Sequence, residues 1–407
     1  MRILLVHNYY GSSAPSGENK VFEAERAMLE KHGHEVAVYT RHSDEIRVVA
    51  SGQGLGVRFK KLWGMVKGAL CTVGNPFAAR EVARKCREFK PDVVHFHNTF
   101  PLISPLAVRA ASKYAPVVMT LHNYRIACAA GVPTRGCKVC SLCLDKKCVL
   151  DGIKHRCYRG SLLATLPLAI NIAIYRYRLK KWVDKVIALT EFQKENLIKL
   201  NWLPDSIAVK ENFVEVLNGS IVPKDNRLKR LLYVGRLSSE KGVKTLLKAW
   251  NGRFLDCKLL IVGDGDMKEE CESLSKGANV EFLGHRSNFE VRKLMRESLA
   301  LILPSECWEG LPVTLLESLS EGTPVIVSNL GPLPGLIKKS RFGEIFEAGN
   351  SEACAAAIER LLNRPDYDEM CAAAKREAET KYSEEANYRS LLFIYRDCLL
   401  AENREGI

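Results

Sequence analysis

The sequence predicts an α/β protein of two consecutive halves, each a parallel sheet wound with crossover helices. Three observations predict it. Short apolar runs alternate with helical periods along most of the 407 residues, the pattern of strand–helix–strand units. Glycine-bearing turns follow several of these runs: a Gly/Ser loop over 11–17, Gly235-Arg236, and Gly263-Asp264-Gly265. A polar stretch over 210–229, with Gly219-Ser220 and Pro223, separates the two series and reads as an inter-domain linker.

The run over 3–6 reads as a buried first strand ending at His7-Asn8. It is too short for a secretory signal, so none is expected. A helix from about 18 to 31 follows the loop and stops at Gly33. Strands are expected over 35–39, 93–96, 117–121 and 186–189. In the second half a strand over 231–234 leads into Gly235-Arg236, and a helix spans 243–250. Strands over 258–262, 280–283, 299–303 and 325–327 complete that series, and a helical pattern from 383 ends the chain.

Hydrophobic content of 47% and charged content of 26% are those of a soluble globular protein. The net charge of +13 favours an acidic partner: nucleotide phosphates, anionic lipid headgroups or nucleic acid. No basic-aromatic module supports the last, so no nucleic acid is expected. No run reaches the roughly 18–20 apolar residues of a membrane span. The nearest, over 162–175, contains Pro167 and leads into the basic run 176–181, which suits a core helix or an interfacial contact. The segment 57–70 mixes Arg58, Lys60, Lys61 and Lys67 with Phe59, Leu62, Trp63, Met65 and Val66. It reads as an ordinary amphipathic helix or as a surface for anionic lipid.

The most informative segment is Glu309-Gly-Leu-Pro-Val-Thr-Leu-Leu-Glu317. Pro312 suits the start of a helix running to Ser320, with Gly322 and Pro324 closing it. One carboxylate then precedes a helix N-terminus and the other rides on that helix. Free N–H groups of a first helical turn attract anions such as a diphosphate. Phosphate and hydroxyl recognition together suit a nucleotide sugar. Arg236 and Lys241 bracket the loop after an expected strand and add cations there.

Arg236, Lys241, Gly263-Asp264-Gly265, Gly284-His285, Glu309-Gly310-Leu311-Pro312 and Glu317 stand in the order and spacing of family 4 glycosyltransferases. In the first half, Ser16-Gly17-Glu18, Gly33-His34-Glu35-Val36, Pro91-Asp92-Val93-Val94-His95 and Thr120-Leu121-His122 agree. The chain therefore resembles that family, whose members are retaining enzymes of the GT-B fold: two Rossmann-like domains facing each other across a cleft. The resemblance implies an acceptor domain over 1–215, with a cysteine-rich insertion at about 128–157. It implies a nucleotide-sugar domain over 225–382 and a helix over 383–407 packing back toward the first domain.

The resemblance also implies roles. Arg236 and Lys241 neutralise the donor diphosphate. Glu317 holds the ribose hydroxyls, and Glu309 faces the sugar. Gly263, Gly265, His285, Gly310, Leu311 and Pro312 border the donor, and Gly17 lets backbone approach it. His122 closes over the sugar, which makes His122, Glu309, Arg236 and Lys241 the catalytic set. One departure is visible: where the family often has Gly-x-Pro-Glu, this chain has Gly331-Pro332-Leu333-Pro334-Gly335.

The implied activity is retaining transfer of a sugar, UDP-linked before GDP-linked, to a saccharide or lipid-linked acceptor for surface polysaccharide or glycolipid. The implied location is cytoplasmic, at the membrane's inner face. A GT-B epimerase or phosphorylase is the alternative enzyme, and a non-enzymatic scaffold the third reading. No Asp-x-Asp metal motif stands out, so no catalytic cofactor is expected. Six of fourteen cysteines fall between Cys128 and Cys157, including the run Cys137-x2-Cys140-x2-Cys143. Turn-borne thiols at this spacing suit structural zinc, with an iron–sulfur cluster or plain thiols as the other readings. Similar family members flank such an insertion with His-Asn-Tyr-Arg and Cys-Tyr-Arg. That likeness favours Cys128, Cys140, Cys143 and Cys157 as ligands, with Cys137 and Cys148 in reserve.

Overall fold

A computed structural model describes residues 1–11, 16–46, 55–136, 138–217 and 219–405, with backbone alone for 55–62, 338–340 and 402–405. The chain forms two compact units. Unit 1 comprises Met1–Val132, Ser141–Glu211 and Tyr388–Ile407; unit 2 comprises Pro133–Cys140 and Asn212–Asn387.

Unit 1 holds strands β1 (Arg2–Tyr9), β2 (Glu35–His42), β3 (Val93–Asn98) and β4 (Val117–Leu121). A short antiparallel hairpin, β5 (Thr134–Arg135) and β6 (Lys138–Val139), belongs to unit 2. β7 (Lys185–Ala188) and β8 (Ile207–Val209) complete the first sheet, all parallel, in the order β2-β1-β3-β4-β7-β8. Unit 2 holds β9 (Leu228–Val234), β10 (Lys258–Val262), β11 (Val280–Gly284), β12 (Ser298–Leu303), β13 (Val325–Ser328) and β14 (Gly343–Phe346). Its sheet is also parallel, in the order β11-β10-β9-β12-β13-β14.

Each unit buries its own core, and β3, β4, β12 and β13 are buried along their whole length, as the central strands of a parallel sheet are. Leu4, Val6, Val94, Phe96 and Val186 anchor the first core; Leu231, Tyr233, Leu259, Ile302 and Trp250 anchor the second. In each sheet the order reverses beside its first strand, between β1 and β3 and between β9 and β12. Ligands of open parallel sheets bind at the carboxyl ends of strands at such a switch point.

The expected helices Leu162–Tyr175 and Val243–Trp250 are present with those bounds. The helix expected from about 18 starts at Gly17, because Ser16 caps it: the Ser16 Oγ accepts from the Glu18 N–H. The edge strands β8 and β14 were not expected; both are only partly buried, and β14 opens with Gly343-Glu344 rather than with a continuous apolar run. The boundary between the units, after Glu211, falls within the expected 210–229 linker, but that stretch is not solvated throughout. Lys210 and Arg227 are buried, the first ion-paired to Glu25. Arg227 donates to the carbonyls of Ser298 and Gly322. Buried charges persist where they are paired or hydrogen-bonded, so a polar composition did not mean a solvated segment. The Gly/Ser loop at 12–15 lies outside the described residues.

Candidate functional site

In unit 2 the loops after β9 and β12, which flank the switch point, are locked together by glycine. Gly242 has φ +67°, and a Cβ there would lie 1.8 Å from the Pro304 carbonyl oxygen. The Glu306 N–H also donates to the Glu240 carbonyl at 2.9 Å. This brings Lys241, on the turn Ser239–Lys241, to Glu309. Lys241 Nζ donates to Glu309 Oε1 at 2.7 Å, and Ser305 Oγ donates to the same oxygen at 2.6 Å. Ser305 is itself fixed through its carbonyl, which accepts from Ser328 Oγ at 2.6 Å.

Burial opposes ionisation of Glu309, but the Lys241 ammonium outweighs it and holds the carboxyl below its usual range. Burial likewise opposes the charge on Lys241, and Glu309 outweighs it, raising the amine. The site therefore carries a charged pair at neutral pH. Burial pushes the neighbouring Cys307 thiol up, so it stays protonated.

Gly263 and Gly265, read from sequence as a bare turn with a donor-side role by resemblance, have a structural reason. A Cβ on Gly263 would meet the Gly235 carbonyl oxygen at 1.9 Å, and one on Gly265 the Leu237 carbonyl oxygen at 2.2 Å. The two strand-end loops pack backbone to backbone, with Gly235 N–H donating to Val262 and Leu237 N–H to Asp264, each at 3.0 Å. Arg236 between them is exposed, and its carbonyl accepts from Tyr233 at 2.8 Å. His285 is exposed just after Gly284, whose carbonyl accepts from the Gly263 N–H.

Glu309, Gly310 and the buried Leu311 precede the helix Val313–Ser320, with Pro312 as its N-cap residue. The helix closes through Gly322 at φ +66°, as the sequence predicts. Glu317 is buried on this helix, and Asn288 Nδ2 donates to its Oε1 at 2.6 Å. Sequence reasoning missed Asn288 and Ser305; neither residue type at those positions carries a spacing signal. Where the family has Gly-x-Pro-Glu, this chain starts the helix Leu333–Ser340 after Pro332.

In unit 1, His122 directly follows β4 and Gly17 opens the helix Gly17–Lys31. Asn123 Nδ2 donates to Glu18 Oε1 at 2.7 Å, tying the segment after His122 to that helix start. Burial raises the Glu18 carboxyl, against Asn123 and Arg125, which favour its charge. His122 Nε2 lies 3.0 Å from His97 Nδ1. Burial and the His97 ring hold His122 well below the usual histidine range, so it is neutral at pH 7. Behind His97 stand Glu25, His95 and Lys210, all buried, which sequence reasoning did not connect. A signal existed: His95 and His97 alternate on one strand and so share a face.

Cys128, Cys143 and Cys157 lie in unit 1, and Cys140 in the short segment grouped with unit 2. Cys137 lies outside the described residues. No described cysteine forms a disulfide. Burial raises the Cys128 thiol to about 11, and Cys143 and Cys157 lie near enough to add to it. Among the described residues, however, the one three-ligand group within 4.8 Å is Glu25, His95 and His97. No three described cysteine sulfurs lie within that distance of one another.

Residues 17–216 match the family described as Glycosyltransferase Family 4, and residues 220–380 the one described as Glycosyl transferases group 1. The chain is 24% identical to the sulfoquinovosyl transferase SQD2 of Arabidopsis thaliana, over 90% of this chain and 68% of the other. It is also 24% identical to the putative teichuronic acid biosynthesis glycosyltransferase TuaC of Bacillus subtilis, over 88% and 89%. Among solved structures, Anabaena HepE in complex with UDP matches at a TM-score of 0.62, with 15% identity, 98% of this chain and 100% of that one covered.

Proposed function

Because the chain belongs to glycosyltransferase family 4 and has the fold of GT-B enzymes, we propose that it moves a hexose from a nucleoside-diphosphate sugar to a saccharide or lipid-linked hydroxyl, with retention. The observation that carries this reading is the Lys241–Glu309–Ser305 cluster beside Arg236 at the β9/β12 switch point. Cleaving a glycosyl–phosphate bond develops negative charge on the diphosphate. Arg236, Lys241 and the N–H groups at the start of Val313–Ser320 would stabilise that charge as it grows. Glu309 meets the sugar as its ring turns oxocarbenium-like. Glu317, held by Asn288, grips the ribose hydroxyls. In the reading we favour, the acceptor attacks from the face the leaving group departs, and the donor phosphate takes the acceptor's proton.

UDP is the nucleotide we favour, supported by the UDP complex of HepE. The teichuronic acid biosynthesis named for TuaC supports a polysaccharide product, and likeness to an alpha-monoglucosyldiacylglycerol synthase of Streptococcus pneumoniae, 24% identical over 86% of this chain and 76% of the other, supports a glycolipid one. The test is a thermal-shift screen of UDP- and GDP-sugars followed by a product assay with lipid-linked acceptors. Glu317→Ala should weaken nucleotide binding, because ribose contacts are made in ground and transition states alike, whereas Glu309→Ala should lower turnover. Unchanged nucleotide affinity in Glu317→Ala would remove the ribose role. Free epimer or phosphorolysis product in place of transfer would favour the alternative enzymes.

Peripheral attachment to an anionic membrane is part of this proposal. No helix among the described residues is long and apolar enough to cross a membrane. The helix Leu162–Tyr175 is both core and surface: Leu168, Ala169 and Ile172 are buried, whereas Leu163 is 79% exposed and Leu162, Leu166 and Ile170 are exposed too. It is pinned to the helix Leu55–Val73 by Asn171 Nδ2, which donates to the Thr72 carbonyl at 2.6 Å. That helix exposes Trp63, Met65, Val66 and Leu70 alongside Lys67. Arg178 and Lys181 are exposed just beyond Tyr175. Apolar and aromatic side chains rimmed by cations suit a headgroup layer. The side chains of Arg58, Phe59, Lys60, Lys61 and Leu62 lie outside the described ones.

A further inference from the structure

The buried network behind His122 has a direction. Glu25 is ionised: burial would raise it, but Lys210 and the His97 and His95 rings hold it well below the usual carboxylate range. Lys210 Nζ donates to Glu25 Oε2 at 2.8 Å. The other oxygen, Oε1, lies 3.1 Å from His95 Nδ1 and 3.2 Å from His97 Nε2. These approaches are charge–dipole contacts, since neither Oε1 nor His97 Nε2 has a well-aligned hydrogen bond. His95 is engaged on both nitrogens, with Tyr395 OH 2.8 Å from Nδ1 and Thr120 Oγ1 2.8 Å from Nε2.

This three-ligand group is where a metal would be sought among the described residues, but its chemistry disfavours one. The Lys210 ammonium already neutralises Glu25, and a divalent cation would sit beside it in a dry pocket. His95 Nδ1 already has a hydroxyl partner. The arrangement suits a proton-ordered chain. A carboxylate oxygen can only accept, so the His97 nitrogen facing it carries hydrogen. Lys210 already pairs with Glu25, so one N–H on His97 completes that contact and leaves its Nδ1 to accept. The His122 Nε2 at 3.0 Å must then donate.

We propose that Glu25 and His97 are positioning residues that fix His122 as the Nε2–H tautomer, leaving its Nδ1 to accept from a hydroxyl of the bound sugar. The depressed His122 pKa agrees, since an acceptor nitrogen needs a neutral ring. The logic is that of a buried carboxylate orienting an imidazole through its far nitrogen, here with a second imidazole between. Contact of His122 with the sugar rests on the proposed function; the tautomer does not.

The test is imidazole NMR on the full chain labelled with 15N-histidine, with His122 assigned through His122→Gln. The expected wild-type pattern is a protonated Nε2 and an unprotonated Nδ1 on His122. In Glu25→Gln the carboxamide can present either oxygen or NH2 to His97. The His122 tautomers should therefore mix, and kcat should fall by roughly 10–100-fold with donor KM within about twofold. A protonated Nδ1 on wild-type His122 would overturn the proposal, whether or not Glu25→Gln folds. So would Glu25→Gln with both the wild-type tautomer and wild-type kcat. The expected tautomer together with normal turnover in His122→Ala would confirm the relay and overturn only the sugar contact.

Discussion

Lys241→Met should strand the Glu309 carboxylate, and the size of the effect follows from the geometry. At 2.7 Å and an effective dielectric of about 20, the pair attracts by roughly 6 kcal/mol before desolvation. Removing one partner of a buried pair typically destabilises by about 3–5 kcal/mol. The Lys241 side chain is 31% exposed, and Ser305 still donates to the carboxylate, so the loss should sit lower, at about 2–3 kcal/mol. For a unit of this size that is a midpoint drop of about 5–10 °C. The sign with pH is defined. In the wild type the Glu309 carboxyl is depressed, so its contribution is present above the unfolded carboxylate range and is lost as pH falls through the folded value. In Lys241→Met, burial dominates and raises the same carboxyl. The gap between the two proteins should therefore be widest near pH 7 and should close as pH falls toward 4. Urea unfolding at several pH values measures it, with Lys241→Met/Glu309→Gln completing a double-mutant cycle. A gap below about 0.5 kcal/mol, a gap independent of pH, or strict additivity in the cycle would refute the reasoning.

Three further outcomes follow from the same structure. Gly263→Ala should destabilise by more than about 3 kcal/mol, because its Cβ would lie 1.9 Å from a backbone oxygen at φ +133°. Gly277→Ala, at φ +80° with open space around it, should lose only about 1 kcal/mol, and equal losses in thermal melts would contradict the packing argument. Liposome co-sedimentation should require anionic lipid, weaken in high salt and drop in Trp63→Ser/Leu163→Ser; equal binding to neutral vesicles would count against the membrane proposal. For the insertion we propose about one zinc per chain on Cys128, Cys140, Cys143 and Cys157; elemental analysis finding neither zinc nor iron, with these thiols titratable in the folded protein, would end that proposal.

Much of the fold was legible because it rests on local patterns. The apolar runs, the helix Val243–Trp250 and the Gly322 stop each follow from composition and backbone chemistry within a few residues. The edge strands β8 and β14 were not legible, since a strand covered on one edge only is partly exposed and needs no continuous apolar run such as marks the equally short β7 and β13. Of the site, the sequence marked Glu309, Lys241, Arg236 and Glu317 through spacing and resemblance. It could not say that Lys241 and Glu309, 68 positions apart, form an ion pair. That contact exists because the sheet order puts β9 beside β12, and Gly242 lets their loops touch. Tertiary structure alone also turned Lys210 from a linker cation into the buried counterion of Glu25, 185 positions away. Local sequence determines which segments can be strands, helices and turns. Which charges neutralise one another in the dry interior is decided only when the sheet brings distant strand ends together.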